Sequence, residues 1–264
     1  MKITALVENQ AADGLKAKHG LSLYIETEKH KLLFDLGPDR TLFANAAALG
    51  IDLTAVDTVI LSHGHNDHGG ALRRFLALNR TAKVYVQRSA FEAHYSKVLF
   101  FRVGIGLDRE LMRESRLVLL DGDHVIDDEL RLFTAPGAEI CRSPANDTLL
   151  DERGTDAFSH EQSLLITENK TALIMGCGHR GVLTILAHAP EAAFAACIGG
   201  YHLYNPAKRQ TVGEEVLFGI AEGLRAYPKT EFYTCHCTGR KAYDYLAARL
   251  PNMHYLSAGT SITV

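Results

Sequence analysis

The chain has 264 residues, which allows one large α/β domain or two small ones. It is 47% hydrophobic and 22% charged with a net charge of −3, a composition that builds a sizeable core and gives no argument for a nucleic-acid surface or a polybasic membrane patch. No apolar run reaches membrane-spanning length, and the five cysteines (Cys141, Cys177, Cys197, Cys235, Cys237) lack disulfide-framework spacing, so a reduced, cytoplasmic protein is expected.

In chain order, residues 1–8 predict a first strand rather than a secretory signal. Residues 21–27 and 31–35 predict a hairpin, and 39–49 a helix stopped by Gly50. A buried strand over 56–61 leads into a histidine-rich loop, followed by a helix over 71–78 and a strand over 83–87. Residues 88–95 predict a short helix. The aromatic, glycine-containing stretch up to 115 predicts a mobile loop. Strands are expected at 116–120, 130–135, 162–167, 171–175, 192–198, 231–234 and 253–256. Helices are expected at 178–189, 211–227 and 239–250. Two successive sets of strands, each followed by helices, predict one domain of two sheets packed face to face with helices outside.

The loop at 62–70 reads Ser62-His63-Gly64-His65-Asn66-Asp67-His68-Gly69-Gly70. Neutral imidazole and carboxylate are ligands for zinc, iron or manganese, and three histidines and an aspartate within six residues can serve two adjacent metal positions. Further ligands must come from later in the chain, and the candidates are His160, Cys177, His179, His202 and His236. His19, His30, His94, His124, His188 and His254 have no metal-like context and read as surface or helix residues. Asp35, before Leu36-Gly37, can accept a hydrogen bond from a ligand histidine and fix its tautomer.

The spacing His63-x-His65-x-Asp67-His68, with its apolar lead-in and trailing Gly69-Gly70, resembles the signature of the metallo-β-lactamase superfamily. The resemblance implies a four-layer αββα sandwich with the site at one edge, between the sheets. It implies that His63 and His65 bind one metal, and that Asp67, His68 and His236 bind a second. At the place where many members carry a bridging aspartate, this chain has Cys177, with His179 two residues on. His160 and His179 therefore compete for the third place on the first metal. Cys177 is either a thiolate ligand or a small buried residue.

His160-Glu161-Gln162-Ser163-Leu164, Gly176-Cys177-Gly178-His179-Arg180-Gly181, Gly199-Gly200-Tyr201-His202 and Cys235-His236-Cys237-Thr238-Gly239 together resemble one branch. That branch contains the dihydropterin–ribofuranosylaminobenzene phosphate synthases of methanopterin biosynthesis. Two divalent ions are expected, zinc first, with iron or manganese as alternatives. The expected activity is hydrolysis of a phosphoester, thioester or lactone in a small-molecule substrate by metal-activated water. Asp67 and His202 are the candidate catalytic side chains. Metal-assisted transfer of a pterin-methyl group to an aromatic ring is the alternative, and a non-catalytic metal-binding module a third reading. Arg102, Arg109, Arg180 and Lys208 are candidate contacts for a phosphorylated substrate. No nucleic-acid or membrane partner is expected, and oligomeric state is left open.

Overall fold

A computed structural model describes residues 1–191 and 193–264. In the first half lie β1 (Lys2–Val7), β2 (Ser22–Glu26), β3 (Lys31–Phe34), α1 (Thr41–Ala48), β4 (Thr58–Ile60), α2 (Asn66–Gly69), α3 (Leu72–Leu78) and β5 (Lys83–Gln87). Then come β6 (Tyr95–Val98), β7 (Phe101–Gly104), β8 (Leu117–Leu120), β9 (His124–Val125), β10 (Leu130–Phe133) and β11 (Leu149–Leu150). The second half holds β12 (Ser163–Thr167), β13 (Thr171–Ile174), α4 (Val182–His188), β14 (Ala196–Gly199), β15 (Tyr204–Asn205) and β16 (Gln210–Thr211). It closes with α5 (Glu214–Leu224), β17 (Glu231–Thr234), α6 (Arg240–Ala247), β18 (Met253–Tyr255) and β19 (Ser261–Thr263).

Two seven-stranded sheets carry the structure, ordered β19-β1-β2-β3-β4-β5-β8 and β18-β17-β14-β13-β12-β10-β9. Alternation along the strands explains why both faces of each sheet are covered. Ile3, Ala5, Leu32, Phe34, Ile60, Ile166, Ala172, Ile174 and Ile198 enter the core between the sheets. Leu6, Leu33 and Val59 point the other way, against α1 and α3. Leu173 and Cys197 likewise pack toward α4, α5 and α6. The result is an αββα sandwich, as the sequence predicts.

Strands β3, β4, β5 and β8 run parallel, as do β13, β14, β17 and β18. Parallel strands end on a common edge, where open α/β sheets place their ligands. The loops after β3, β4, β13, β14 and β17 carry Asp35, the 62–70 segment, Cys177 with His179, His202 and His236 in turn.

Four points of the expected fold change. The predicted mobile loop near 95–106 is the hairpin β6–β7, extended by β11 pairing onto β6. Its strands are largely exposed, so they show no one-sided periodicity, and the turn is made by Leu99 at φ 54° instead of a glycine. The helix expected over 178–189 starts only at Val182, because residues 178–181 form a loop with left-handed glycines at 178 and 181. The C-terminal β19 was not predicted, and it adds antiparallel to β1. The strand expected over 192–198 forms over Ala196–Gly199, and Ala192 lies outside the described residues.

Candidate metal centre

The 62–70 loop is pinned from below. Asp35, buried and at φ 60°, accepts from the Ser62 amide (2.8 Å) and hydroxyl (2.7 Å). Ser62 Oγ, having donated to Asp35, accepts from His63 Nδ1–H at 2.7 Å. The Nε2 of His63 is thereby left unprotonated and faces His65 Nδ1 at 3.1 Å. Asp35 also accepts from His68 Nδ1–H at 2.6 Å, which leaves His68 Nε2 facing inward. Only glycine fits at 176, because a Cβ there would run into Ser62 Oγ.

The second sheet supplies the rest. His179 Nδ1–H donates to Asn146 Oδ1 at 2.9 Å, and Asn146 Nδ2 donates back to the His179 carbonyl at 2.8 Å. The buried Glu161 carboxylate accepts from the His179 and Arg180 amides at 2.7 and 2.8 Å. Burial lifts Glu161 to about 7 against those amides. His236, at φ 50°, is oriented by Asn9, whose Oδ1 lies 2.9 Å from His236 Nδ1. Glu8 accepts from the His236 amide at 2.6 Å.

The inner atoms gather in two groups. His63, His65 and His179 each offer a ligand atom, all within 4.8 Å of one another. Burial and repulsion from neighbouring histidines hold all three well below the usual histidine range, so they are neutral, as ligands must be. Beside them, His236 Nε2 lies 3.3 Å from Asp67 Oδ2 and 3.2 Å from His68 Nε2. Burial works against charge on His68, but Asp35 and Asp67 outweigh it and raise this residue to about 9. Cys177 Sγ is 3.2 Å from His68 Nε2, and it also groups with His63 and His68, with His179 and His202, and with His236 and Cys237. It sits where the two groups meet.

Among the described residues, His65 Nε2, His179 Nε2 and both ring nitrogens of His202 are buried without a hydrogen-bond partner. Such atoms cost about 1–3 kcal/mol each unless something satisfies them. His202 is held at φ 44° with its ring 4.3 Å from that of His179. Left-handed φ at Asp35, His202 and His236 is strain gathered at one place. Neutral imidazoles on His63, His65 and His179, with a carboxylate and a thiol beside them, are a donor set that fits a divalent cation.

His160 stands differently. Its Nδ1 accepts from the Gly64 amide at 3.0 Å and its Nε2–H donates to Asp156 Oδ2 at 3.2 Å, so the protein uses both nitrogens. His94 Nδ1 reaches the same carboxylate oxygen at 2.9 Å. Burial opposes ionisation of Asp156, but its hydrogen bonds from His160 and His94 hold it well below the usual carboxylate range. His94 is only 3% exposed, against the expectation of a surface histidine. His19 also has a place: its Nε2 lies 3.3 Å from Asp67 Oδ2, at the rim. Arg180 is buried, pairs with Glu139 and donates to the carbonyls of Ala135, Gly137 and Ala157. Asn9, Asn146, His94 and Asp156 were missed in the sequence.

A cavity of about 210 Å³ opens onto both groups, walled by Ile105, Leu149, Tyr204 and Pro206, with His202 on its lining. Arg102, Arg109 and Lys208 do not line it.

Two parallel-edged sheets with this histidine, aspartate and thiol set on their shared edge define a metalloprotein of the αββα class. The family model of the metallo-beta-lactamase superfamily matches residues 16–173, more than half of the chain, and the chain belongs to that superfamily. It is 26% identical to the 7,8-dihydropterin-6-methyl-4-(beta-D-ribofuranosyl)-aminobenzene-5'-phosphate synthase of Methanocaldococcus jannaschii, over 92% of this chain and 89% of the relative. It is 24% identical to an uncharacterized protein of the same organism, over 99% of this chain and all of that one. Among solved structures it is similar to Tm1679, a metal-dependent hydrolase of the beta-lactamase superfamily. The TM-score is 0.82 at 25% identity, covering 100% of this chain and 99% of that one. Among the described residues, no helix is long and apolar enough to cross a membrane.

Proposed function

We propose that the chain is a metal-dependent hydrolase acting on a small phosphoester, thioester or lactone, with His63, His65 and His179 holding one divalent ion and Asp67, His68 and His236 a second. Cys177 stands between them in the bridging place. The observation that carries this is tautomeric. The outer nitrogens of His63, His68 and His179 donate to Ser62, Asp35 and Asn146, so their inner nitrogens converge on the site, unprotonated on His63 and His179. Two ions held there would acidify water and withdraw electrons from a carbonyl or phosphoryl oxygen.

The chain's own residues do the remaining work. The apolar wall of Ile105, Leu149 and Pro206 excludes water and binds the substrate's carbon skeleton. His202, with neither ring nitrogen committed to the protein, is placed to carry a proton toward a leaving group. Asp35, Asn9 and Asn146 keep the ligand rings from turning. Zinc is the expected ion, with iron and manganese as the alternatives to test.

The test is metal analysis combined with p-nitrophenyl phosphate esters, thioesters and lactones. Turnover that requires two ions per chain supports the reading, and no turnover on any of them with two ions bound overturns it. A second reading, transfer to an aromatic acceptor, is favoured by the identity to the synthase over most of both chains. Product joined to the acceptor without net hydrolysis would support it.

A further inference from the structure

Cys177 is one of two thiols at this edge. One donor atom each from Cys177, His236 and Cys237, all buried, lies within 4.8 Å of the others. Both cysteines line the same cavity as Asp67 and His236. The remaining cysteines face elsewhere. Cys235 packs into the core between the sheets, while Cys197 and Cys141 belong to the helix-side core. Cys235 and Cys237 flank the left-handed His236, and that turn sends Cys237 into the site beside the histidine ring.

The position of the Cys237 sulfur is built. It accepts from the His202 amide at 3.3 Å, and its S–H donates to the Cys177 carbonyl at 3.4 Å. Residue 200 must be glycine for the sulfur to sit there, because a Cβ on Gly200 would run into Cys237 Sγ.

We propose that Cys237 is a second thiolate donor, so that the metal position of Asp67, His68 and His236 is a two-sulfur position suited to thiophilic divalent ions such as zinc, cobalt(II) and cadmium. This rests on the dinuclear reading above and goes beyond it. The bridging place needs Cys177 alone, and a superfamily-type ligand set has no use for the residue after His236. Binding forms two metal–sulfur bonds and breaks two S–H bonds, releasing two protons to solvent with no change of oxidation state. Thiolates favour zinc over manganese, which the histidine and aspartate ligands alone do not.

The test loads the full chain with cobalt(II) and records the near-ultraviolet sulfur-to-cobalt charge-transfer band together with cobalt per chain. The proteins compared are wild type, C177S, C237S, the double variant and C141S as control. The expected band falls by about half in either single variant, vanishes in the double variant and is unchanged in C141S. A full wild-type band in C237S with two cobalt ions per chain overturns the proposal and leaves the dinuclear reading standing. One cobalt per wild-type chain with a two-sulfur band keeps the proposal and refutes the dinuclear reading, and no bound cobalt refutes both. If C237S fails to fold, alkylation of wild type followed by mass spectrometry decides. Zinc should protect Cys237 along with Cys177, and equal labelling of Cys237 with and without zinc overturns the proposal.

Discussion

Replacing Asp156 by asparagine tests the buried network behind the 62–70 loop. The Asp156 carboxylate accepts from His94 Nδ1 (2.9 Å) and His160 Nε2 (3.2 Å) on one oxygen and from the Phe158 amide (2.7 Å) on the other. In Asp156→Asn the amide oxygen keeps the Phe158 bond, and the NH2 group meets two imidazole N–H donors. Two charge-assisted bonds are lost, each worth about 1.5–3 kcal/mol. The site is buried, and breaking a buried pair by removing one partner costs about 3–5 kcal/mol, which sets the expected loss. The assay is urea unfolding of the metal-free protein at pH 7, wild type against variant, read as a midpoint shift at constant slope. The lowered pKa of Asp156 means that its stabilisation is present above the unfolded carboxylate value near 3.9 and is lost as pH falls below it. The variant should therefore have a flatter acid limb. A loss under about 1 kcal/mol would show that the carboxylate is not holding these histidines, and the account of the loop's support would fall.

Glu161 makes the opposite pH prediction. Its pKa is raised to about 7, so the folded state binds the extra proton between about 4.5 and 7, and stability falls as pH rises through that window. The fall should be about 3 kcal/mol in metal-free wild type and absent in Glu161→Gln, measured by urea unfolding at pH 5 and 8. Gly176→Ala forces a methyl group onto Ser62 Oγ and should cost about 3 kcal/mol, seen as a lowered denaturation midpoint. Chelation should lower the melting temperature of the metal-loaded protein. An ion at a thousand times its dissociation constant contributes about 4 kcal/mol, and unchanged calorimetry after chelation would count against bound metal. Metal affinity should weaken as pH drops below about 9, because an ion must displace the proton that Asp35 and Asp67 favour on His68. Isothermal titration across pH 6–9 checks this.

The four-layer sandwich was legible because β3, β4, β13 and β14 are short, nearly continuous apolar runs, and Gly50 and Pro228 stop the helices before them. The 62–70 loop was legible because its donors are consecutive and follow an apolar strand. The choice between His160 and His179 was not. It turns on which ring nitrogen meets the Gly64 amide, 96 residues away, and on Asn146 backing His179 from 33 residues away. Asn9 carries no pattern of its own, since its role is set by His236, 227 residues on. His94 read as a surface residue because Asp156, which keeps it satisfied inside, lies 62 positions later. Hairpin β6–β7 escaped because both its faces are solvated, so no alternation marks it.

The donors are divided between the two sheets. His63, His65, Asp67 and His68 follow a strand of one, and Cys177, His179 and His236 follow strands of the other. Neither half owns a closed coordination sphere, and Glu8 and Asn9 reach from the first sheet to hold a histidine of the second. An ion held across that seam, as proposed, would act as a rivet between layers, retained only when the sheets have docked in the correct register. A chain with one sheet misassembled keeps its histidines and loses its ion. On the proposed ligand set, metal content would report whether the two sheets have docked, separating finished molecules from collapsed ones.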